Sequence, residues 1–454
     1  MPGGVRRLSP DYNRGLYILL SANVTRRWRV GLGNYLMVPL GKVFSVRKPA
    51  IESGAMRHSL LLLTVSVLFG APAIISDVKK TGLDPALLAK IPARLKSFVD
   101  EGKAAGMVTL VARHGHVAAI DAVGYTDLET KQAIKPDAMF QLHSMTKPVV
   151  CLGVMMLQEE GLVNLSDPIE KHLPEFRGQQ VLEGNALRKP ARLVTLRDLM
   201  THTSGMILNP PPGIGELHGA LHKTLAEVVL VESQQPLLFD PGTRWSYSNT
   251  GIASLARLIE VKSGMPFEKF LAARIFGPLG MVDTYIYPPK EKWHRMPTAY
   301  VVKDGKTMKY TSDPLGEGAM KFREGAKYPL PEGGLYSTVA DLFRLYQLML
   351  NGGQLEGIRL LSRASVDLMT ANHTGVLPGA AAGMSAALGW TYVRDSAAAL
   401  TLLSPGTYGH GGRYGTYCFI DPKRDMIGIF MIHREGGSDE RNAFVAMAAS
   451  SAVD

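Results

Sequence analysis

Two pairs of apolar runs, one near each end of the body of the chain, constrain its fold more than any other feature. Residues 107–113 and 117–123 flank His114-Gly115-His116, and residues 416–420 and 426–432 flank Asp421-Pro422-Lys423-Arg424-Asp425. Each pair reads as a β-hairpin. Before the first, Ala86, Leu87, Leu88, Ile91, Leu95, Phe98 and Val99 keep helical spacing over 86–101. After the second, a helix is expected from about Ser438, with Asp439 and Glu440 in its first turn and Phe444, Val445 and Met447 further along. Hairpins and helices at both ends imply one antiparallel sheet built from both ends of the chain and flanked by helices.

The stretch between is mostly helical pattern and Pro/Gly loops, with helices expected over 193–201, 225–233, 251–263 and 267–275. It reads as an insertion. The expected fold is α+β: an antiparallel sheet domain from 81–160 and 331–454, with a mostly helical domain inserted at 161–330. No repeat of solenoid length and no Ser/Pro-rich linker divides this body. With 454 residues, 46% of them hydrophobic, one composite fold accounts for the length better than three separate domains.

Residues 1–80 read as an amino-terminal extension. The net charge of +10 is concentrated there: residues 1–58 hold ten Lys/Arg against Asp11 and Glu52, and the remainder is close to neutral, with 40 basic and 38 acidic residues. A nucleic-acid-binding body, which needs a basic face on the folded domain, is therefore disfavoured. Within 56–73, Met56-Arg57-His58, an apolar run over 60–69 and Gly70-Ala71-Pro72-Ala73 resemble a secretory signal peptide. The run is too short for a stable membrane span, which needs about 20 apolar residues. Translation from Met56 would make the protein secreted or periplasmic, with residues 1–55 an overlong gene start. The alternative is a genuine basic extension ahead of a loosely packed hydrophobic helix, and a cytoplasmic protein. Cys151 and Cys418, far apart in apolar runs, are expected as buried free thiols; two cysteines make neither a disulfide framework nor a CxxC redox pair.

Three motifs carry chemistry. Ser144-Met145-Thr146-Lys147 precedes a helical run over 149–157, so the serine and lysine, three apart, share a face. A serine hydroxyl needs a base beside it to act as a nucleophile, and a desolvated lysine can serve. A helix amino terminus also aims backbone N–H groups at a developing oxyanion. Tyr247-Ser248-Asn249 follows: a tyrosine near a cationic lysine deprotonates more readily and can shuttle protons, and the Asn249 amide can hold a substrate carbonyl or orient the lysine. Gly409-His410-Gly411-Gly412-Arg413 leads into the 416–420 strand, where glycines let a substrate lie against backbone and a strand N–H can complete an oxyanion hole.

In this order and at these spacings the three motifs resemble the serine β-lactamase-like superfamily, which includes class C β-lactamases, DD-peptidases, D-aminopeptidases and family VIII carboxylesterases. Residues 194–205 (Val-Thr-Leu-Arg-Asp-Leu-Met-Thr-His-Thr-Ser-Gly) and 333–338 (Gly-Gly-Leu-Tyr-Ser-Thr) resemble it too, and the likeness covers about 85–440. It implies a β-lactamase/transpeptidase-like fold with the active site between sheet domain and insertion. It also implies Ser144 as the acylated nucleophile, Lys147 and Tyr247 sharing acid–base work, Asn249 assisting, and the backbone N–H groups of Ser144 and Arg413 as oxyanion donors. The third motif departs from the Lys-Thr-Gly of class C enzymes. His410 replaces a charged lysine with an imidazole expected to be neutral at pH 8 and partly protonated near pH 6. That favours uncharged short-chain esters, or D-amino-acid amides, over β-lactams.

Other signals are set aside. There is no G-x-S-x-G elbow, no H-E-x-x-H, and no phosphate or dinucleotide fingerprint, so no cofactor or metal is expected. His114-Gly115-His116 is read as a turn, not a ligand pair. His202 is read as a structural hydrogen-bonder and His143 as pointing away from the chemistry. Trp390 either lines the acyl pocket or belongs to the sheet core. The function expected is ester hydrolysis through an acyl-enzyme on a small-molecule substrate. The alternatives are a β-lactamase, DD-peptidase or D-aminopeptidase on the same site, or a non-catalytic penicillin-binding protein.

Overall fold

Seven antiparallel strands form the central sheet, in the spatial order Met384–Ala386, Thr391–Val393, Tyr408–Gly411, Tyr417–Asp421, Met426–Ile432, Gly106–Arg113, His116–Gly124. The two hairpins expected from the ends of the chain meet at the centre, where Met107 pairs with Ile432 and Arg113 with Met426. This is a computed structural model that describes residues 78–209, 222–303, 306–310 and 325–453. The extension and the segment 56–73 lie outside the described residues.

The turn joining the first hairpin needs two residues with positive φ, His114 at 53° and Gly115 at 73°, the geometry that matches the twist of the strands. His114 Nδ1 lies 2.9 Å from Asp425 Oδ2 in the neighbouring turn.

Both faces of the sheet are covered. Alternate residues of the central strand face opposite sides: Val108, Leu110 and Ala112 join the large inner core, and Met107 and Val111 join an outer core with Phe98, Phe430 and Phe444. The outer layer is made by the helices Lys90–Asp100 and Asp439–Ser450. The helix expected over 86–101 is split into Pro85–Leu88 and Lys90–Asp100. Pro92 has no N–H to bond back to Leu88, so the ladder breaks there.

The inner layer is built on the helix Lys147–Glu159, buried from Lys147 through Leu157, and on Asn249–Ser263 packed against it. Of the helices expected in the insertion, Leu225–Ser233 and Asn249–Ser263 match closely. The one expected over 193–201 shortens to Leu196–Met200: Thr195, itself extended, accepts the Asp198 N–H, and Asp198 bonds back to the Thr195 N–H. The last α-helix ends at Leu271 and widens into a π turn over Ala272–Phe276. The expected insertion is not wholly helical. A hairpin of Tyr300–Lys303 with Lys306–Lys309 lies within it and pairs in parallel with Arg434–Glu435. Cys151 and Cys418 are buried free thiols. Among the described residues, no helix is long and apolar enough to cross a membrane.

Candidate active site

The nucleophile candidate stands on a tight turn. Ser144 lies in a 3-10 turn, His143–Thr146, that runs directly into the helix beginning at Lys147. In a 3-10 turn, residues three apart eclipse one another. Lys147 Nζ consequently donates to Ser144 Oγ at 3.0 Å, and a second bond to the Glu332 carbonyl at 2.8 Å fixes the amine from the other side. The lysine is fully buried. Loss of solvent drives its pKa down to about 7, partly opposed by the Glu332 charge. Such an amine is neutral in a large fraction of molecules at neutral pH and is positioned to take a proton from Ser144.

Tyr247 arrives on the loop before Asn249–Ser263. Lys147 Nζ lies 4.8 Å from the centre of its ring. The expectation that a neighbouring cation would make this phenol more acidic is overturned. Burial pushes its pKa above the ordinary value, against a smaller opposite pull from Ser144, so Tyr247 is a neutral hydroxyl at working pH. That hydroxyl is buried and turned toward Ser144. Protonated, it is suited to donating a proton or hydrogen bond to an incoming group.

Its loop is held by His202, a residue the sequence assigned only as structural. The His202 carbonyl accepts the Ser246 N–H at 2.9 Å and its Nδ1 accepts the Ser248 N–H at 3.2 Å, bracketing Tyr247. The two rings lie 4.4 Å apart. Burial, reinforced by Lys147 and His410, keeps His202 well below the usual imidazole range, so it is neutral. Ser248 then caps the following helix by accepting the Gly251 N–H at 3.0 Å.

His410 lies on the strand Tyr408–Gly411, buried, its ring 6.3 Å from that of Tyr247. The expectation that it gains charge near pH 6 is corrected: burial, with the Lys147 charge beside it, drives its pKa down to about 3. It remains neutral from pH 6 to 8, with Nδ1 2.7 Å from the Gly411 carbonyl. Gly411 pairs with Tyr417 along the strand edge. Gly412 permits a close approach: an added Cβ would overlap Thr416 Oγ1 and the Leu142 carbonyl, so any side chain would push this turn off the Ser144 turn. The backbone of Arg413 follows directly, while its guanidinium turns to Glu435 Oε1 and the Tyr310 hydroxyl, each at 3.0 Å.

Two sequence-derived site residues sit elsewhere. Trp390 is 3% exposed and packs edge-on against Tyr346 and Tyr408, so it is core and not pocket wall. The Asn249 amide donates to Asn209 Oδ1 at 2.7 Å and does not orient the lysine, whose bonds go to Ser144 and Glu332. The Asn249 carbonyl oxygen is buried without a partner among the described residues. His143 packs edge-on against Tyr414, ring centres 4.1 Å apart. Glu332 went unnoticed in the sequence, where its only signal was its place immediately before Gly333-Gly334.

The chain is similar to known proteins. Residues 91–451 match the family model described as Beta-lactamase. Esterase EstB of Burkholderia gladioli is 31% identical over 371 residues, covering 76% of this chain and 90% of its own. Protein Rv1367c of Mycobacterium tuberculosis is 28% identical over 365 residues, covering 75% of this chain and 88% of its own. Among solved structures, EstCE1, described as a hydrolase with promiscuous acyltransferase activity, superposes with a TM-score of 0.69 at 25% identity, over 81% of this chain and 98% of its own. A penicillin-binding protein homologue from Caulobacter crescentus shares the fold at a TM-score of 0.62 and 22% identity, over 82% of this chain and 99% of its own. With most of its length matched by the family model and by relatives of similar extent, the chain belongs to the beta-lactamase family of serine hydrolases.

Proposed function

We propose that the protein hydrolyses short-chain carboxylic esters through an acyl-enzyme on Ser144. The observation that carries the reading is the fully buried Lys147 amine 3.0 Å from Ser144 Oγ. As Oγ attacks the ester carbonyl, its proton passes to Lys147 Nζ. The oxyanion of the tetrahedral intermediate is received by the backbone N–H groups of Ser144 and Arg413. Collapse expels the alcohol, which takes a proton from Lys147 by way of the Tyr247 hydroxyl. Water attacks the acyl-enzyme by the reverse sequence, returning the proton to Ser144 and releasing the acid.

Two observations favour esters over carboxylate-bearing β-lactams. His410 is neutral where a class C enzyme has a lysine, and the Arg413 guanidinium is already bound to Glu435. The likeness to Esterase EstB points the same way. The test is a panel of p-nitrophenyl acetate, butyrate and octanoate beside nitrocefin and a D-alanyl amide, with wild type and Ser144→Ala. Short esters should be turned over fastest, Ser144→Ala should be inactive yet folded, and a labelled fluorophosphonate should mark Ser144. Faster turnover of nitrocefin or the D-alanyl amide would replace the ester assignment. Retained activity in Ser144→Ala would remove the nucleophile assignment, and no turnover with no label would favour a non-catalytic penicillin-binding protein.

A further inference from the structure

The carbonyl that holds Lys147 belongs to a residue with an acidic side chain. Any amino acid could supply a backbone oxygen there; Glu332 adds a carboxyl group within the same buried region. The residue is 8% exposed, and its Oε2 accepts the hydroxyl of the fully buried Tyr328 at 3.0 Å. A buried carboxylate persists only where such partners stabilise it.

The turn bearing Glu332 is stitched to the Ser144 turn from both sides. Leu330, in the left-handed region at φ 52°, offers its carbonyl to the N–H groups of Gly333 and Gly334 at 3.0 and 2.6 Å. Gln141 Nε2 donates to the Gly333 carbonyl at 3.3 Å, Leu335 N donates to Thr146 Oγ1 at 3.2 Å, and Leu142 N donates to the Leu335 carbonyl at 2.7 Å. Glu332 thus has little freedom to move away from the lysine.

The groups that bear on Lys147 come from every element around it. Ser144 and Cys151 belong to its own turn and helix. Tyr247, His202 and His410, all neutral, come from the loop, the insertion and the sheet. Glu332 comes from the 330–335 turn with Tyr328 behind it, and Glu232 bears on Tyr328. Among the described residues that bear directly on the lysine, Glu332 is the carboxylic acid. Its charge raises the proton affinity of Lys147 against the effect of burial.

We propose that Glu332 is a positioning residue that seats Lys147 through its carbonyl and, through its carboxylate, sets the charge on that lysine and hence the pH window of the reaction. The inference rests on Lys147 being the base. With the carboxylate present the lysine loses its proton near neutrality; without it, the proton leaves at lower pH.

The test measures fluorophosphonate labelling rate and kcat/KM for p-nitrophenyl butyrate from about pH 5 to about pH 9, in the full chain carrying Glu332→Gln, Glu332→Asp or Tyr328→Phe. Glu332→Gln should move the acid limb of both profiles down by roughly 0.5–1 pH unit. Glu332→Asp should stay near wild type, and Tyr328→Phe should move the limb down by less. A Glu332→Gln profile with a lower plateau and an unmoved limb, or a limb moved upward, would overturn the inference, leaving only the carbonyl. If Glu332→Gln does not fold, Tyr328→Phe decides by the same limb. Labelling at Ser144 with an unmoved limb overturns this inference alone; absence of labelling in wild type overturns the acyl-enzyme reading along with it.

Discussion

His202 lies with its ring 4.4 Å from that of Tyr247 and holds the backbone on both sides of it, through the N–H groups of Ser246 and Ser248. The phenol is thereby aimed by a residue that itself stays neutral. His202→Ala should lower kcat by about 10–100-fold with little change in KM, and cost ~1–3 kcal/mol of stability through the Ser248 N–H left unpaired. His202→Asn should recover part of both, because asparagine tolerates the φ of 59° and carries an acceptor. Steady-state kinetics and urea unfolding of the two variants check this, and an unaltered kcat in His202→Ala would show that the clamp is dispensable.

Lys147 and Tyr247 should behave as one unit, since the amine lies 4.8 Å from the phenol ring. Lys147→Ala and Tyr247→Phe should each lower kcat by about 10²–10⁴-fold. The double variant should be only slightly worse than the poorer single one. Full additivity would place them in separate steps.

A buried lysine also marks the stability of the protein. The folded chain gives up the Lys147 proton near pH 7, while the ordinary value is 10.5, so between the two the unfolded chain binds more protons and stability rises with pH. Lys147→Met removes that dependence. Its stability relative to wild type should therefore be greatest below about pH 7 and shrink by a few kcal/mol towards pH 10. Urea unfolding at pH 7 and pH 9 measures the gap, and a gap that widened with pH would contradict a lysine kept neutral by burial.

His410 supplies a test of specificity. Held at about 3, its pKa predicts no inflection between pH 6 and 8 attributable to this ring, for esters or for nitrocefin. His410→Lys should raise the nitrocefin-to-ester ratio of kcat/KM by about tenfold, through a charge able to pair with the carboxylate. Equal damage to both substrates would mean that the histidine serves only the packing of the strand edge.

Gly412→Ala should lower kcat by about 10²–10³-fold, the loss expected when one oxyanion donor is displaced. Overlap with Thr416 Oγ1 and the Leu142 carbonyl would move the Arg413 backbone away from the Ser144 turn. Gly411→Ala, which meets only ordinary contacts such as Tyr417 Cδ2 at 3.6 Å, is the control and should be mild. Comparable losses in both would mean that general strand damage, and not the turn, sets the effect.

Features that follow from short-range periodicity were legible in the residues alone. The three-residue spacing of Ser144 and Lys147 brought them to 3.0 Å once a helical turn formed. Apolar runs on either side of His114-Gly115-His116 read as a hairpin, and the matching runs at the far end gave its partner. The charges of the site were set by the packing of distant segments. Whether Lys147 is a cation, Tyr247 an acid or His410 a pH-dependent contact depends on how completely distant segments exclude water, and burial reversed the expectation for both Tyr247 and His410. The same holds for partners far along the chain: Glu332 reaches Lys147 across 185 positions and His202 reaches Ser248 across 46. Trp390 shows the converse, since an indole beside a glycine suits a pocket wall or a core equally until Tyr346 and Tyr408 close around it. Residue type sets which proton can move; the dielectric built by the fold sets whether it does.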